Sequence, residues 1–263
     1  MARYKISFEY LGSDFFGSQV QKEGKTVQGE LIKALCTLTK NKNTKVIMSG
    51  RTDRGVSAIG QTAHFDSEIP VDKNKFLISL NALLPNGIRV FEIESVVASF
   101  HAQKSATFRH YEYKINNSVA GSVFDLNALH TRIKLDIERM QAALNYLKGE
   151  HNFSAFKSVS DNPSEICTVY YAKVRKNADY ILIDIVGNRF LYNMVRAIVG
   201  TLFLIETKNL NPSFMKEVLD SKERSKAGAN VDPVGLTLIN VGYDDVNDYV
   251  NKLNERQANN ENL

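Results

Sequence analysis

The sequence predicts an α+β protein with two related lobes. Several short segments alternate apolar and polar residues, which is typical of half-buried strands. Longer segments between them repeat apolar residues every three to four positions, which is typical of amphipathic helices. Both halves of the chain combine these segments in a similar β-α-β order, and we place the lobes at 1–104 and 105–245, with a polar tail at 246–263.

The first lobe begins with a strand, because apolar and polar residues alternate from Tyr4 to Tyr10. The second predicted helix ends at a Pro-Asn-Gly turn, and we expect Phe76, Leu80 and Leu83 to face the core. The predicted elements of this lobe are strands at 4–10, 46–48, 60–66 and 88–93, and helices at about 26–38 and 72–84.

The second lobe again begins with a strand and contains the most apolar helix of the chain. A further helix opens at Pro212, a residue type suited to the first helical position. The predicted elements are strands at 106–116, 168–176, 180–186 and 234–243, and helices at about 136–148, 190–205 and from 211 onward. The tail at 246–263 is polar, and we expect residues 251–263 to fray.

Composition excludes several classes of protein. The chain has 263 residues, 43% of them hydrophobic and 24% charged, so it can form a sizeable core. Its two cysteines, Cys36 and Cys167, form no CxxC pair, and its five histidines are scattered, so we expect no metal site and no disulfide framework. We see neither a targeting segment nor a membrane-spanning run, and therefore expect a cytoplasmic protein. The net charge of +4 does not decide whether a nucleic acid binds.

The most informative segment is 49–61, where a carboxylate follows a short apolar strand. Asp53 lies between Arg51 and Arg54, and glycines at 50 and 55 allow the backbone to turn tightly. One interpretation is an ordinary solvated charged loop. The other is an anionic group held close to an anionic polymer, with arginines that bind phosphates. The surrounding sequence decides between them.

Residues 50–61 resemble the signature GRTD-x-GV-x-A-x-GQ of the tRNA pseudouridine synthase A family. The family's other motifs have counterparts in the same order along the chain, so that the resemblance covers about residues 4 to 243 and chance is excluded. The counterparts are YLGSDFFGSQ (10–19, against YDGT-x-F-x-GWQ), NALLPNGIRV (81–90), FHAQKSATFRHYEY (100–113), LKGEHNFSAF (147–156), GNRFLYNMVRAIVGT (187–201) and GLTL (235–238).

Three sites depart from the family pattern. Ser18 replaces a usual tryptophan, Gln103 and Lys104 replace Arg-Phe, and Ser57 replaces a frequent histidine. None of them is the aspartate. The departures therefore leave the identity of the substrate RNA more open than the reaction.

The resemblance assigns roles to individual residues. It implies that Asp53 is the nucleophile, that Arg196 forms a salt bridge with it, and that Tyr111 stacks on a flipped uracil. At helical spacing Asn193 and Gly200 share a face with Arg196, and a glycine there allows another backbone to approach. The alternative for Arg196 is a solvated helix arginine, and for Tyr111 it is core packing.

Other polar residues carry weaker expectations. Arg51 is expected to hold the flipped nucleotide or its phosphate, although an ordinary surface arginine is the alternative. For Tyr113 we expect core packing, and for His64 and His101 a structural role. Five cations are expected either to follow an RNA backbone or to keep the surface soluble: Lys40, Lys42, Lys45, Lys104 and Arg109.

The resemblance implies an α+β fold in which two lobes share a mostly antiparallel sheet, with helices on the outer faces and the active cleft between the lobes. It also implies a homodimer that grips tRNA, modification of uridines 38, 39 and 40 in the anticodon stem-loop, and no metal or organic cofactor. Two alternatives stay open. One is the same chemistry on another RNA (ribosomal RNA or other tRNA positions), and the other is a non-catalytic RNA-binding protein.

Overall fold

The chain divides into two compact units in a computed structural model, which describes residues 1–159 and 164–260 and side chains up to residue 256. The N-terminal unit is Met1–Ala106 together with Leu236–Val241. The C-terminal unit is Thr107–Gly235 together with the described residues that follow Val241. The sequence places Leu236–Val241 in the lobe at 105–245, whereas the structure groups these residues with the N-terminal unit.

Strands and helices are mixed along the chain, and most strand pairs are antiparallel, so the expected α+β class is confirmed. The strands of the described residues are β1 (Ala2–Tyr10), β2 (Val46–Met48), β3 (Ser57–Ser67), β4 (Ile88–Val96), β5 (Phe108–Asn116), β6 (Leu129–His130), β7 (Gly149–Asn152), β8 (Ile166–Asn177), β9 (Tyr180–Gly187) and β10 (Leu236–Gly242). The helices are α1 (Val27–Thr39), α2 (Lys73–Leu83), α3 (Ile137–Asn145), α4 (Met194–Lys208), α5 (Phe214–Ser221) and α6 (Val246–Asn260).

The sheet of the N-terminal unit has β1 at its centre. Strand β1 pairs antiparallel with both β4 and β3, and β2 adds to β3 in the antiparallel sense. The late strand β10 runs parallel to β3, with Thr237 opposite Ser57. Helices α1 and α2 begin at side-chain caps, since Thr26 and Asp72 accept the backbone N–H groups three residues further on.

The sheet of the C-terminal unit has the order β5–β9–β8–β7, with all three pairs antiparallel, and β6 runs parallel to β5. Ile183 and Ile185 of β9 are fully buried. Helix α4 is apolar nearly all round, and Ala197, Ile198 and Val199 are fully buried. Such a helix belongs inside the unit rather than on its surface.

Two sequence-based details of the helices are wrong. Leu83 is 48% exposed, and Leu84 takes the expected core position with 7% exposure, because α2 ends at Leu83 and the backbone becomes extended. Helix α4 begins at Met194 rather than near Phe190, because Asn193 adopts a left-handed conformation with φ of 62°.

The polar tail forms helix α6, with an apolar stripe on one side. Val246, Tyr249, Val250 and Leu253 pack against a buried cluster of the C-terminal unit that includes Phe108. The spacing of these four residues is helical, but it is diluted by asparagine, aspartate and lysine. In the described part of the chain, no helix combines the length and apolar character that crossing a membrane requires.

Candidate active site

Asp53 begins a tight turn in the loop between β2 and β3 of the N-terminal unit. Its backbone carbonyl accepts the N–H of Val56 at 3.1 Å, and Gly55 adopts φ of 86°, a left-handed conformation that favours glycine. The Asp53 side chain is half-buried, while Arg51 and Arg54 are exposed. The turn therefore presents a partly shielded carboxylate between two solvent-facing cations.

Thr52, the residue before Asp53, is held by hydrogen bonds at its hydroxyl, N–H and carbonyl groups. The Thr52 hydroxyl forms a hydrogen bond with the Tyr10 hydroxyl at 2.7 Å. The Thr52 N–H donates to Ser18 Oγ at 2.8 Å, and the Ser18 N–H donates to the Thr52 carbonyl at 3.1 Å. Burial raises the pKa of Tyr10 to about 12, so its hydroxyl stays protonated at neutral pH. Ser18, one of the departures from the family pattern, thus anchors the aspartate loop.

A second departure anchors the other end of the loop. The hydroxyl of Ser57 accepts the N–H of Gly12 at 3.0 Å. A Cβ at Gly12 would lie 2.4 Å from the carbonyl oxygen of Val56, so only glycine fits there. At the start of the loop, Ser49 donates its hydroxyl to the Gln61 side-chain carbonyl at 2.5 Å. The loop is therefore fixed before and after Asp53.

Tyr111 lies on β5 in the C-terminal unit and is half-buried. The Tyr111 ring packs edge-to-face against the Phe190 ring, with a centroid distance of 5.1 Å and an interplanar angle of 84°. Two residues on, Tyr113 is fully buried, which confirms the expected core position. Its hydroxyl also donates to the carbonyl of Asp232 at 2.7 Å.

Arg196 projects from the first turns of α4 and is half-buried. Its Nε donates to the Val231 carbonyl at 2.8 Å, and an Nη donates to the Asn193 side-chain oxygen at 2.8 Å. The guanidinium is therefore oriented by two acceptors within its own unit. The expectation that Asn193 shares a helical face with Arg196 is confirmed.

Gly200 brings another backbone segment against α4, as its position suggested. A Cβ at Gly200 would lie 1.7 Å from the carbonyl oxygen of Ala229. Next to it, the N–H of Gly228 donates to the Thr201 hydroxyl at 2.9 Å. This close approach holds the segment that carries Val231, the acceptor for Arg196.

The remaining candidates divide into structural residues and exposed ones. His64 is buried, and its Nδ1 accepts the N–H of Ala102 at 3.1 Å, which supports the expected structural role. Arg109 is half-buried and donates to the carbonyl of Asn188 at 2.8 Å. The lysines expected to contact RNA are all exposed, namely Lys40, Lys42, Lys45 and Lys104. The described residues contain no group of three or more His, Cys, Asp or Glu arranged to hold a metal ion.

The four main candidates thus lie on three elements of two units. Arg51 and Asp53 share the loop after β2, whereas Tyr111 and Arg196 belong to the C-terminal unit. The backbone carbonyl of Val231, which orients Arg196, was not foreseen. A carbonyl carries no sequence signal, although the glycine at 200 indicated that some backbone would approach.

Comparisons with known proteins identify the relatives of this chain. The family model described as tRNA pseudouridine synthase matches residues 143–244. The tRNA pseudouridine synthase A of Brevibacillus brevis is 42% identical over 247 residues, which cover 92% of this chain and all of that protein. That of Oceanobacillus iheyensis is 38% identical over 248 residues (93% and 98%). A chain of the solved Cbf5–Nop10–Gar1 complex is 10% identical with a TM-score of 0.43, and the match covers 90% of this chain and 49% of that one.

The relatives define the class of this protein, which is a pseudouridine synthase and hence an isomerase. Within that class, the chain belongs to the tRNA pseudouridine synthase A family.

Proposed function

We propose that this chain converts uridine to pseudouridine in tRNA, at positions 38, 39 and 40 of the anticodon stem-loop, with Asp53 as the nucleophile. The names of the relatives support tRNA as the substrate. The positions and the role of Asp53 rest on the resemblance of residues 50–61 to the family signature. The observation that carries the proposal is a half-buried carboxylate on a turn anchored by Thr52 and Ser57, between two exposed arginines.

The reaction requires a nucleophile and proton transfer only. The bond from uracil N1 to ribose C1′ breaks, and a bond from uracil C5 to C1′ forms. The proton leaves C5 and N1 gains one, so that the product is an isomer of the substrate. Asp53 either attacks C1′ or initiates elimination at the ribose, and in both cases the carboxylate must be ionised.

The other candidates have supporting roles in the proposal. The family resemblance implies a salt bridge from Arg196 to Asp53, and such a bridge keeps the carboxylate ionised because an adjacent cation favours the charged form. Tyr111 stacks on the uracil after it has left the RNA helix, a step that costs about a few kcal/mol. Arg51, exposed beside the nucleophile, binds the phosphate of the flipped nucleotide.

The proposal extends to the assembly and the compartment. The chain acts as a homodimer in the cytoplasm, and a homodimer offers the tRNA two copies of the exposed lysines Lys40, Lys42 and Lys45. Light scattering of the purified protein at micromolar concentration measures the mass directly. A mass of one chain at all concentrations contradicts the dimer.

The decisive experiment measures tritium release from tRNA labelled with [5-³H]uridine, because isomerisation replaces the C5–H bond. We expect release by the wild type and none by Asp53→Asn, with tRNA binding retained. Asp14→Asn is the matched control, since Asp14 is an exposed carboxylate of the same unit. Full activity of Asp53→Asn contradicts the assignment of the nucleophile.

The target positions need a separate measurement. After the reaction, pseudouridine in an anticodon stem-loop is labelled chemically, and the label stops reverse transcription. We expect stops that mark position 38, 39 or 40. Modification of ribosomal RNA instead, with none in tRNA, overturns the substrate but not the chemistry.

A further inference from the structure

An exposed cation–aromatic pair adjoins the aspartate turn of the N-terminal unit. The guanidinium carbon of Arg54 lies 4.2 Å from the centroid of the Phe16 ring. Phe16 is 46% exposed although it is a large apolar side chain, and Arg54 is exposed as well. Because Arg54 directly follows Asp53, the pair lies beside the proposed nucleophile.

The Phe16 ring is held in place by its own loop. The N–H of Phe16 donates to the Lys25 carbonyl at 2.8 Å, and Gln21 Nε2 donates to the Phe16 carbonyl at 2.6 Å. The backbone of Gly24 lies so close that a Cβ there would be 2.6 Å from Phe16 Cγ. Because hydrogen bonds hold both the N–H and the carbonyl of Phe16, its exposed ring forms a rigid apolar surface.

Arg54 has no anionic partner within the part of the chain that the structure describes. No carboxylate of those residues lies within 4.0 Å of its guanidinium nitrogens, in contrast to Arg3, which pairs with Asp66 at 2.8 Å. A guanidinium that lies over a ring keeps its N–H donors at the edge of the plane, where a phosphate can bind two of them at once. The ring also limits the side-chain freedom that binding would otherwise remove.

We propose that Arg54, supported by Phe16, binds a backbone phosphate of the RNA next to the target uridine and so positions the RNA at Asp53. This inference rests on the proposed function, because it requires an RNA at Asp53. Both residues occupy positions left open in the motifs YDGT-x-F-x-GWQ and GRTD-x-GV. The pair is therefore a feature of this chain rather than of the signature, and Arg54 is a positioning residue.

The test compares Arg54→Gln with Arg256→Gln, which removes the same charge from the exposed side of α6. For Arg54→Gln we expect an approximately tenfold rise in KM for tRNA and in Kd, with kcat within about twofold of the wild type. The slope of log K against log salt concentration should decrease by about 0.7 to 0.9, the contribution of one phosphate contact. Arg256→Gln should change neither KM nor the slope.

A second variant separates the ring from the charge. Phe16→Leu keeps the cation but removes its support, so KM should rise about threefold, while the salt slope stays as in the wild type. Thermal unfolding of each variant shows whether it is folded, and a Tm within about 2 °C of the wild type is required for the comparison.

Several outcomes overturn the phosphate contact. One is a slope of log K against log salt concentration that stays unchanged in Arg54→Gln. Another is an equal loss of affinity in Arg256→Gln, because that result indicates an effect of general surface charge. A larger loss in Phe16→Leu than in Arg54→Gln points to a base stacked on the ring instead. If the wild type forms no pseudouridine in tRNA, the proposed function fails, whereas the equilibrium binding series still reports on Arg54 alone.

Discussion

Arg196 and Tyr113 donate hydrogen bonds to adjacent backbone carbonyls, Arg196 Nε to Val231 at 2.8 Å and the Tyr113 hydroxyl to Asp232 at 2.7 Å. One residue comes from α4 and the other from β5. Two successive peptide groups therefore tie the helix and the strand of the C-terminal unit together. Tyr113 thus helps to fix the segment whose Val231 carbonyl accepts a hydrogen bond from the Arg196 guanidinium.

The first prediction concerns that tyrosine. Tyr113→Phe keeps the buried ring but leaves the Asp232 carbonyl without its donor, and we expect a loss of about 1 kcal/mol in the free energy of unfolding. Because the segment around Val231 loosens, kcat should fall several-fold with little change in KM. Urea unfolding and steady-state tritium release measure the two effects. Unchanged kcat at reduced stability shows that Tyr113 serves packing alone.

The second prediction concerns Ser18, where the family pattern has tryptophan. Ser18→Ala removes the acceptor for the buried Thr52 N–H, which should cost about 1 to 3 kcal/mol and lower kcat because the Asp53 turn loses an anchor. The control is Ser13→Ala, since Ser13 is exposed and its hydroxyl donates to the carboxylate of the neighbouring Asp14 at 3.1 Å. Equal stability of the two variants would refute the anchoring role.

The third prediction uses the close approach at Gly200. Alanine normally stabilises a helix relative to glycine by about 1 kcal/mol. In Gly200→Ala the added Cβ meets the Ala229 carbonyl at 1.7 Å, so we expect net destabilisation of about 2 kcal/mol or more. Gly50→Ala is the control, because a Cβ there would meet no atom of the described residues within 4 Å apart from its immediate chain neighbours. Denaturant midpoints that fall in the opposite order contradict the prediction.

The fourth prediction is a pH dependence of stability that originates at His64. Burial, followed by the charges of Arg3 and His101, lowers the pKa of His64 from 6.5 to about 4. Between these values the unfolded chain binds a proton and the folded chain does not. The free energy of unfolding should therefore fall as the pH drops from about 6.5 to 4, by roughly 3 kcal/mol, with the full value present above pH 6.5.

His64→Asn isolates this effect, because an asparagine oxygen can accept the Ala102 N–H and does not titrate. The variant should lose less stability than the wild type over the same pH range in urea titrations. His130→Asn, at an exposed position, should behave like the wild type. A wild-type profile that is flat between pH 6.5 and 4 rules out the low pKa.

Much of the fold follows from the sequence because the signals are local. Alternation located β1, and helical spacing located α1 and α2, whose N-terminal caps the structure shows to be Thr26 and Asp72. The sequence pattern did not predict helix α6, because its four apolar residues are separated by polar ones. Their burial depends on Phe108, which lies far away in the chain. Where the local pattern is weak, tertiary packing against a distant segment determines the secondary structure.

The candidate site was predictable where side chains carry the chemistry. The loop around Asp53 and the face of Arg196 were visible as residue types at given spacings. The contact between Phe16 and Arg54 joins two segments 38 positions apart, and neither residue indicates the other. The hydrogen bonds of Ser18 and Ser57 were also hidden, because these residues appeared only as departures from a pattern.

The aspartate loop lies next to strand β10, which is synthesised long after the loop itself. Ser57, which ends that loop, faces Thr237 across the parallel pair of β10 and β3. A ribosome must therefore make Thr107–Gly235 before the N-terminal sheet can gain this strand. A nascent chain that stops before Leu236 contains Asp53 but lacks the strand beside Ser57, so the aspartate loop gains this neighbour only after most of the C-terminal unit has been made.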